Sequence, residues 1–222
     1  MSAPHSPIEL QRLYEKRFAG QSAYRNKVWQ ILVGQYFNQW IPAGASVLDL
    51  GCGHCEFINN AVAEKRFGMD LNPDSQRQAA EGVQILAQDC SEPWDLPDAS
   101  LDLVFTSNFF EHLYTKRHLR DTLLQAWRCL RPGGRLVALG PNIRYLPGAY
   151  WDFYDHYLAL TELSLGEVLT ETGFTLEEQI PRFLPYTMSR GSEPPLWTLQ
   201  LYLNLKFVWP LFGKQFLVVA RK

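Results

Sequence analysis

The sequence predicts an α/β fold with a doubly wound, mostly parallel sheet, and three observations carry that prediction. Short, nearly continuous apolar runs alternate with stretches that can be helical, the pattern of a parallel sheet covered on both faces. The first run, Ser46-Val47-Leu48-Asp49-Leu50, passes directly into a turn with glycines at 51 and 53. The second and third runs each end on an acid, Asp70 and Asp89. Right-handed crossovers between such strands wind helices onto both faces of the sheet.

Taken in order, residues 8–19 and 22–40 read as two helices separated by Gly20, with Ser22 as N-cap of the second. Pro42 and Gly44 close the pair, so residues 1–44 form an N-terminal helical cap on a main domain of residues 45–222. The second helix carries Tyr24, Trp29, Tyr36, Phe37 and Trp40. That aromatic surface has to pack on the flank of the sheet or form a lid over the site.

After the first strand come Lys65 to Asp70, Val83 to Asp89, Leu101 to Ser107 and Arg135 to Gly140 as further strands. Asn72-Pro73-Asp74 starts a helix with proline near its first position. Another helix spans residues 114–129 and stops at the turn Arg131-Pro132-Gly133-Gly134. A helix from Ser164 to Gly173, with Ser164 as cap and Gly173 just past its end, leads into a strand from Phe174 to Ile180. Gln215 to Arg221 is the terminal strand, which makes seven. Between the last two strands lies a Pro-rich, apolar insertion, residues 181–213. Within it, Leu196 to Val208 reads as a helix opened by Pro194-Pro195, although the alternation of Leu199, Leu201, Leu203, Leu205 and Phe207 would also fit a strand.

A chain of 222 residues, 46% hydrophobic, can bury one good core. A formal net charge of -2 gives no reason to expect a polyanionic partner, so nucleic acid is disfavoured. Four cysteines, at 52, 55, 90 and 129, make no disulfide framework and fit a reducing compartment. The single C-x-x-C at Cys52 to Cys55 has no second pair to complete a zinc site, and no metal is expected. Met1-Ser2-Ala3-Pro4-His5 lacks an apolar signal core and no stretch reaches 18 uninterrupted apolar residues, so the expectation is a soluble cytoplasmic protein. Trp197, Tyr202 and Trp209 would suit a membrane surface or a partner, with folding back on the sheet as the preferred outcome.

A glycine turn at the carboxyl end of a first parallel strand is where open α/β sheets bind nucleotides, because missing Cβ atoms let a ligand lie against backbone N–H groups. The dinucleotide pattern G-x-G-x-x-G would require glycine at position 56, which is Glu56. A carboxylate there repels a pyrophosphate, which opposes a nucleotide-dependent oxidoreductase. Asp49 and Glu56 instead suit a ligand that carries an amine or a cation. Asp70 lies 21 positions after Asp49, and an acid at about that distance accepts hydrogen bonds from ribose hydroxyls.

Asp49, Gly51 and Gly53 resemble the first motif of the class I S-adenosylmethionine-dependent methyltransferases, acidic-x-Gly-x-Gly-x-Gly, with Cys55 in place of the third glycine. Ser107-Asn108-Phe109-Phe110-Glu111-His112-Leu113 resembles the family stretch that passes beside the methyl group, and Arg131 to Leu136 its turn into strand five. The resemblance covers about residues 45–140. It implies a Rossmann-like methyltransferase fold, and S-adenosylmethionine as cofactor with S-adenosylhomocysteine as product. It also implies cofactor contacts from the turn Gly51, Cys52 and Gly53, from Asp70 on the ribose with Leu71 beside the adenine, and from Asp89 and Cys90 at the adenine edge. Asn108 would lie by the methyl group, and Tyr14 and Arg17 would reach the cofactor from a leading helix.

Methyl transfer is an in-line displacement, in which positioning can supply roughly 7 to 11 kcal/mol and a general base about 10²- to 10⁴-fold. His112 is the first candidate base, since its pKa lies near working pH, and His156 in the aromatic tract 150–157 is the second. The expected activity is methyl transfer to a small or medium-sized acceptor with an oxygen nucleophile. The alternative is the same fold binding the cofactor without methyl transfer, as a repurposed cyclase or a partner subunit.

Overall fold

The strands observed are β1 (Ser46–Leu50), β2 (Lys65–Met69), β3 (Val83–Leu86), β4 (Leu101–Ser107), β5 (Leu130–Pro141), β6 (Thr175–Ile180) and β7 (Gln215–Arg221). They come from a computed structural model that describes residues 22–186 and 193–222. One seven-stranded sheet results, in the order β3-β2-β1-β4-β5-β7-β6. The first five strands pair in parallel, and β7 runs antiparallel between β5 and β6. Strand order reverses between β1 and β4, so a crevice opens there outside the carboxyl ends, the place where such sheets bind ligands.

The helices are α1 (Ser22–Gln35), α2 (Glu56–Asn60), α3 (Asp74–Gln78), α4 (Lys116–Cys129), α5 (Glu162–Glu171), α6 (Leu196–Asn204) and α7 (Trp209–Phe212). Side chains alternate across each strand. Leu48 and Leu50 therefore join one core with α4 and α5, while Val47, Phe105 and Val137 join the other with α1, α2, α6 and α7. The aromatic surface of residues 22–40 packs on the flank of the sheet. Phe37 meets Phe105 at 4.9 Å between ring centroids, and Phe57 stacks on Phe105 at 3.6 Å.

Several element boundaries differ from the sequence reading. The predicted helix 22–40 ends at Gln35, just past Gly34, and Phe37–Trp40 forms a separate 3₁₀ turn. Ser22, expected as its cap, is the first described helical residue. The predicted turn at Arg131 to Gly134 is part of β5: Gly133 N–H donates to Lys222 O and Lys222 N–H to Gly134 O, both at 2.9 Å. The extra residues appear as a register slip against β4 between Leu101 and Leu103.

Helix α5 is capped by Thr161 in a reciprocal box with Ser164, three residues before the expected cap, while Gly173 closes it at φ 99° as expected. Leu196 onward is helical, but α6 stops at Asn204. Tyr202 Oη then donates to Phe183 O at 2.5 Å and Trp209 Nε1 to Tyr202 O at 2.9 Å, folding the segment back on the sheet. Trp197, Phe207, Leu211 and Phe212 remain exposed. No described helix is long and apolar enough to cross a membrane.

Candidate active site

The turn after β1 holds three residues at positive φ: Gly51 at 71°, Gly53 at 49° and Cys55 at 60°. Gly51 and Cys52 N–H both donate to Met69 O, at 2.9 and 3.2 Å, which ties the turn to the end of β2. A side chain at position 51 would run into the Phe109 ring. Cys55, where the family motif has a third glycine, turns inward: its Sγ lies 3.8 Å from Cys52 Sγ and 3.4 Å from Ser75 O. Both thiols are free and buried. The hydrogen bond from Cys55 and burial push the Cys52 thiol well above its ordinary value. A thiol held protonated is a poor ligand and nucleophile, so this C-x-x-C packs the turn.

The expected carboxylates follow on the three adjacent parallel strands. Asp49 lies buried within β1, and burial raises its pKa well above the usual range despite a hydrogen bond from the Ile58 backbone. The charges of Asp70 and Glu56 push it the same way. Asp70 follows β2 and accepts Gly53 N–H at 2.7 Å and Asn72 N–H at 2.8 Å. Burial raises its pKa and those backbone bonds oppose the rise. Leu71 beside it is half-buried.

Asp89 lies three residues past β3, exposed, with Oδ1 accepting Ser91 N–H at 2.9 Å and Ser91 Oγ–H at 2.8 Å. Strand β3 itself ends at Leu86, earlier than expected. The Cys90 thiol faces the core, where Thr122 Oγ1 lies 3.3 Å away. Glu56, read as a partner for a cationic ligand, is instead held by Arg25 of α1, with Nε–Oε1 and Nη2–Oε2 both at 2.9 Å. Sequence reasoning missed Arg25, a lone arginine on an aromatic helix whose partner lies 31 residues away.

The crevice continues past β4. Asn108, at φ 50°, donates N–H to Leu139 O at 2.8 Å, and its Oδ1 is buried without a hydrogen-bond partner among the described residues. A 3₁₀ turn, Phe110–His112, follows and presents Glu111 and His112. Tyr157 and Leu158 N–H donate to Glu111 O at 2.8 and 3.1 Å, which fastens the loop after β5 to this turn. The loop carries His156, whose ring centroid lies 4.9 Å from that of His112.

Asp155, next to His156 in the chain, engages His112. His112 Nδ1 lies 2.9 Å from Asp155 O and 3.2 Å from Asp155 Oδ2. Burial works against a charge on His112, but that hydrogen bond and the charges of Glu111 and Asp155 outweigh it and raise its pKa. Burial lifts the Glu111 carboxyl to about 7. The His112 charge in turn lowers the Asp70 pKa, so the two halves of the crevice feel one another. Tyr14 and Arg17 lie outside the described residues.

A glycine turn at the switch point, an acid after β2 and an antiparallel β7 beside β5 define the Rossmann-like fold of class I methyltransferases. Residues 48–138 match the family described as a methyltransferase domain. A curated protein of Mycolicibacterium smegmatis, described as a probable S-adenosylmethionine-dependent methyltransferase, is 31% identical over 149 residues. That alignment takes in 64% of this chain and 56% of the relative, so the chain spans little more than half of the relative's length.

Among solved structures, an Archaeoglobus fulgidus protein described as a SAM-dependent methyltransferase superposes with TM-score 0.68 and 21% identity, over 95% of this chain and 99% of that one. The [4+2]-cyclase SpnF superposes with TM-score 0.63 and 15% identity, over 100% and 97%. These two likenesses concern the fold.

S-adenosylmethionine, named in the description of the curated relative, fits the residues present. Asp49 is buried and Asp70 half-buried, close enough for the Asp70 charge to oppose ionisation of Asp49, an arrangement that a positively charged ligand relieves. Asn108 Oδ1 offers a buried acceptor in the same crevice.

Proposed function

We propose that this chain transfers a methyl group from S-adenosylmethionine to a hydroxyl oxygen of a small or medium-sized acceptor. The observation that carries the reading is the shared rim. Asp70 and the glycine turn lie at the carboxyl ends of β2 and β1, and His112 follows the carboxyl end of β4, the strand on the other side of β1.

In this reading, the backbone of Gly51, Cys52 and Gly53 and the carboxylate of Asp70 hold the nucleoside half of the ligand. Leu71, Asp89 and Cys90 border the adenine, and Asn108 faces the reacting end. When bound, the cofactor supplies an electrophilic methyl carbon, which the acceptor oxygen takes as the sulfur leaves as a neutral thioether. His112, held by Asp155, accepts the hydroxyl proton on its other ring nitrogen, and His156 flanks it. Tyr150 and Phe153 wall the same corner, which suits an acceptor with a hydrophobic or sugar-ring surface.

Calorimetry with S-adenosylmethionine, S-adenosylhomocysteine and NADH, followed by S-adenosylhomocysteine release over a panel of phenols, sugars and carboxylic acids, tests this. Binding of the first two ligands with turnover on a hydroxyl acceptor is the expected result. Preference for NADH, or turnover confined to amine or thiol acceptors, would refute it. Tight binding with no methyl release on any acceptor would favour the cofactor-binding cyclase or partner subunit. Cys55 in place of the motif's third glycine is what favours that alternative, and its side chain is accommodated inside the turn.

A further inference from the structure

Three donor groups at the β4–β5 end of the crevice stand apart from anything the nucleoside half requires. One ligand atom each from Glu111, His112 and His156 all lie within 4.8 Å of one another. Glu111 and His156 are buried and His112 is partly so. We propose that these three residues form a binding site for a divalent transition-metal ion of the Zn²⁺ type, placed to coordinate the acceptor hydroxyl.

The donor set is chemically suited to such an ion. Two imidazoles and one carboxylate are borderline ligands, and three protein donors leave a coordination position open, as catalytic sites do. Donors around a tetrahedral ion at about 2.1 Å sit about 3.4 Å apart. Closing from 4.8 Å therefore asks for up to about 1.4 Å of approach between donor atoms.

The support around the donors is also present. Asp155 engages His112 Nδ1 through both its backbone and carboxylate oxygens, at 2.9 and 3.2 Å, which fixes Nδ1 as the protonated nitrogen and leaves the Nε2 lone pair for an ion. Phe153 stacks on His156 with ring centroids 5.0 Å apart and an angle of 25°. Tyr157 and Leu158 N–H, both on Glu111 O, keep the two ligand-bearing segments together without the ion.

Glu111 gives a reason for the ion. Its carboxylate is buried. A divalent ion would compensate that charge far better than an imidazole. The absence of a metal was expected from the lone C-x-x-C. The set found here takes one donor from a segment 44 residues beyond Glu-His, a spacing that no short metal motif describes.

An ion held there would make His112 and His156 ligands in place of bases, and would supply Lewis-acid chemistry that lowers the pKa of the acceptor hydroxyl so that its proton passes to water. That role rests on the methyl-transfer reading; the binding of the ion does not. The test uses the whole chain, stripped with a chelator, then titrated with Zn²⁺ by calorimetry and with Co²⁺ by visible absorption.

One ion per chain is expected. His156→Ala and the shape-conserving Glu111→Gln should each weaken Zn²⁺ at least tenfold, and Asp155→Asn by about 10- to 100-fold. S-adenosylhomocysteine affinity, measured on the same samples, should persist and so report an intact fold. Sub-stoichiometric uptake, or equal Zn²⁺ affinity in the parent and all three variants, overturns the site. One bound Zn²⁺ with no S-adenosylhomocysteine binding would uphold the site and refute the methyl-transfer reading.

Discussion

The two halves of the crevice are built in different ways. Around β1 and β2 the polar groups are satisfied mainly by backbone: Gly53 and Asn72 N–H groups hold Asp70, and Met69 O holds the turn. Around β4 and β5 side chains satisfy one another, with Asp155 on His112 and His112 beside His156 and Glu111. A site made of backbone is set by local chain geometry and tolerates changes in neighbouring side chains. A site made of side chains from distant segments fails when any member is removed. The halves should therefore separate experimentally, one governing cofactor affinity and the other turnover.

The largest effect is expected on the side-chain half. His112→Ala should lower methyl transfer by about 10²- to 10⁴-fold and leave S-adenosylhomocysteine affinity nearly unchanged. A loss of cofactor binding comparable to the loss of turnover would break the division.

Next comes Arg25→Ala. It leaves the half-buried Glu56 carboxylate near Asp49 without its cation and should cost up to about 3 kcal/mol of stability by denaturant unfolding. Replacing the pair together, Arg25→Met with Glu56→Gln, should recover most of that. If the single change is silent, the glycine turn does not depend on α1.

Asp70→Ala follows, with S-adenosylhomocysteine Kd rising by one to two orders of magnitude, since charge-assisted hydrogen bonds contribute roughly 1.5 to 3 kcal/mol. Turnover at saturating cofactor should change far less than in His112→Ala. Unchanged affinity would remove Asp70 from the ligand.

The smallest effect is on pH. Burial raises the Asp70 pKa in the folded chain above 3.8, so its contribution to stability is present at low pH and lost as pH rises through the raised value. Ribose hydroxyls need the ionised carboxylate. Cofactor affinity should thus fall, by up to about tenfold per unit, as pH drops below that raised value. Calorimetry from neutral to mildly acidic pH would show the slope, and Asp70→Asn should abolish it.

The residues themselves show how much was legible beforehand. Asp49, Gly51, Gly53 and Asp70 were readable because a strand, a turn and the next strand end are close in sequence and their chemistry is local. Strands β4 and β7 were readable to the residue, since each is a mainly apolar run with clear punctuation. Strand β5 was not. Its Pro-Gly-Gly stretch looks like a turn until Lys222, from the far end of the chain, pairs with it.

Arg25 and Asp155 mark the same limit within the site. Each is charged, and each found a partner that sequence proximity did not indicate: Glu56 for the first, His112 for the second. Local order alone thus determined the sheet, the glycine turn and the acid that follows β2, because hydrophobic period and backbone conformation are properties of neighbouring residues. Folding decided which side chains meet at the far end of the crevice. Burial makes an isolated charge costly, and the partner that relieves it comes from whichever element the packing brings there.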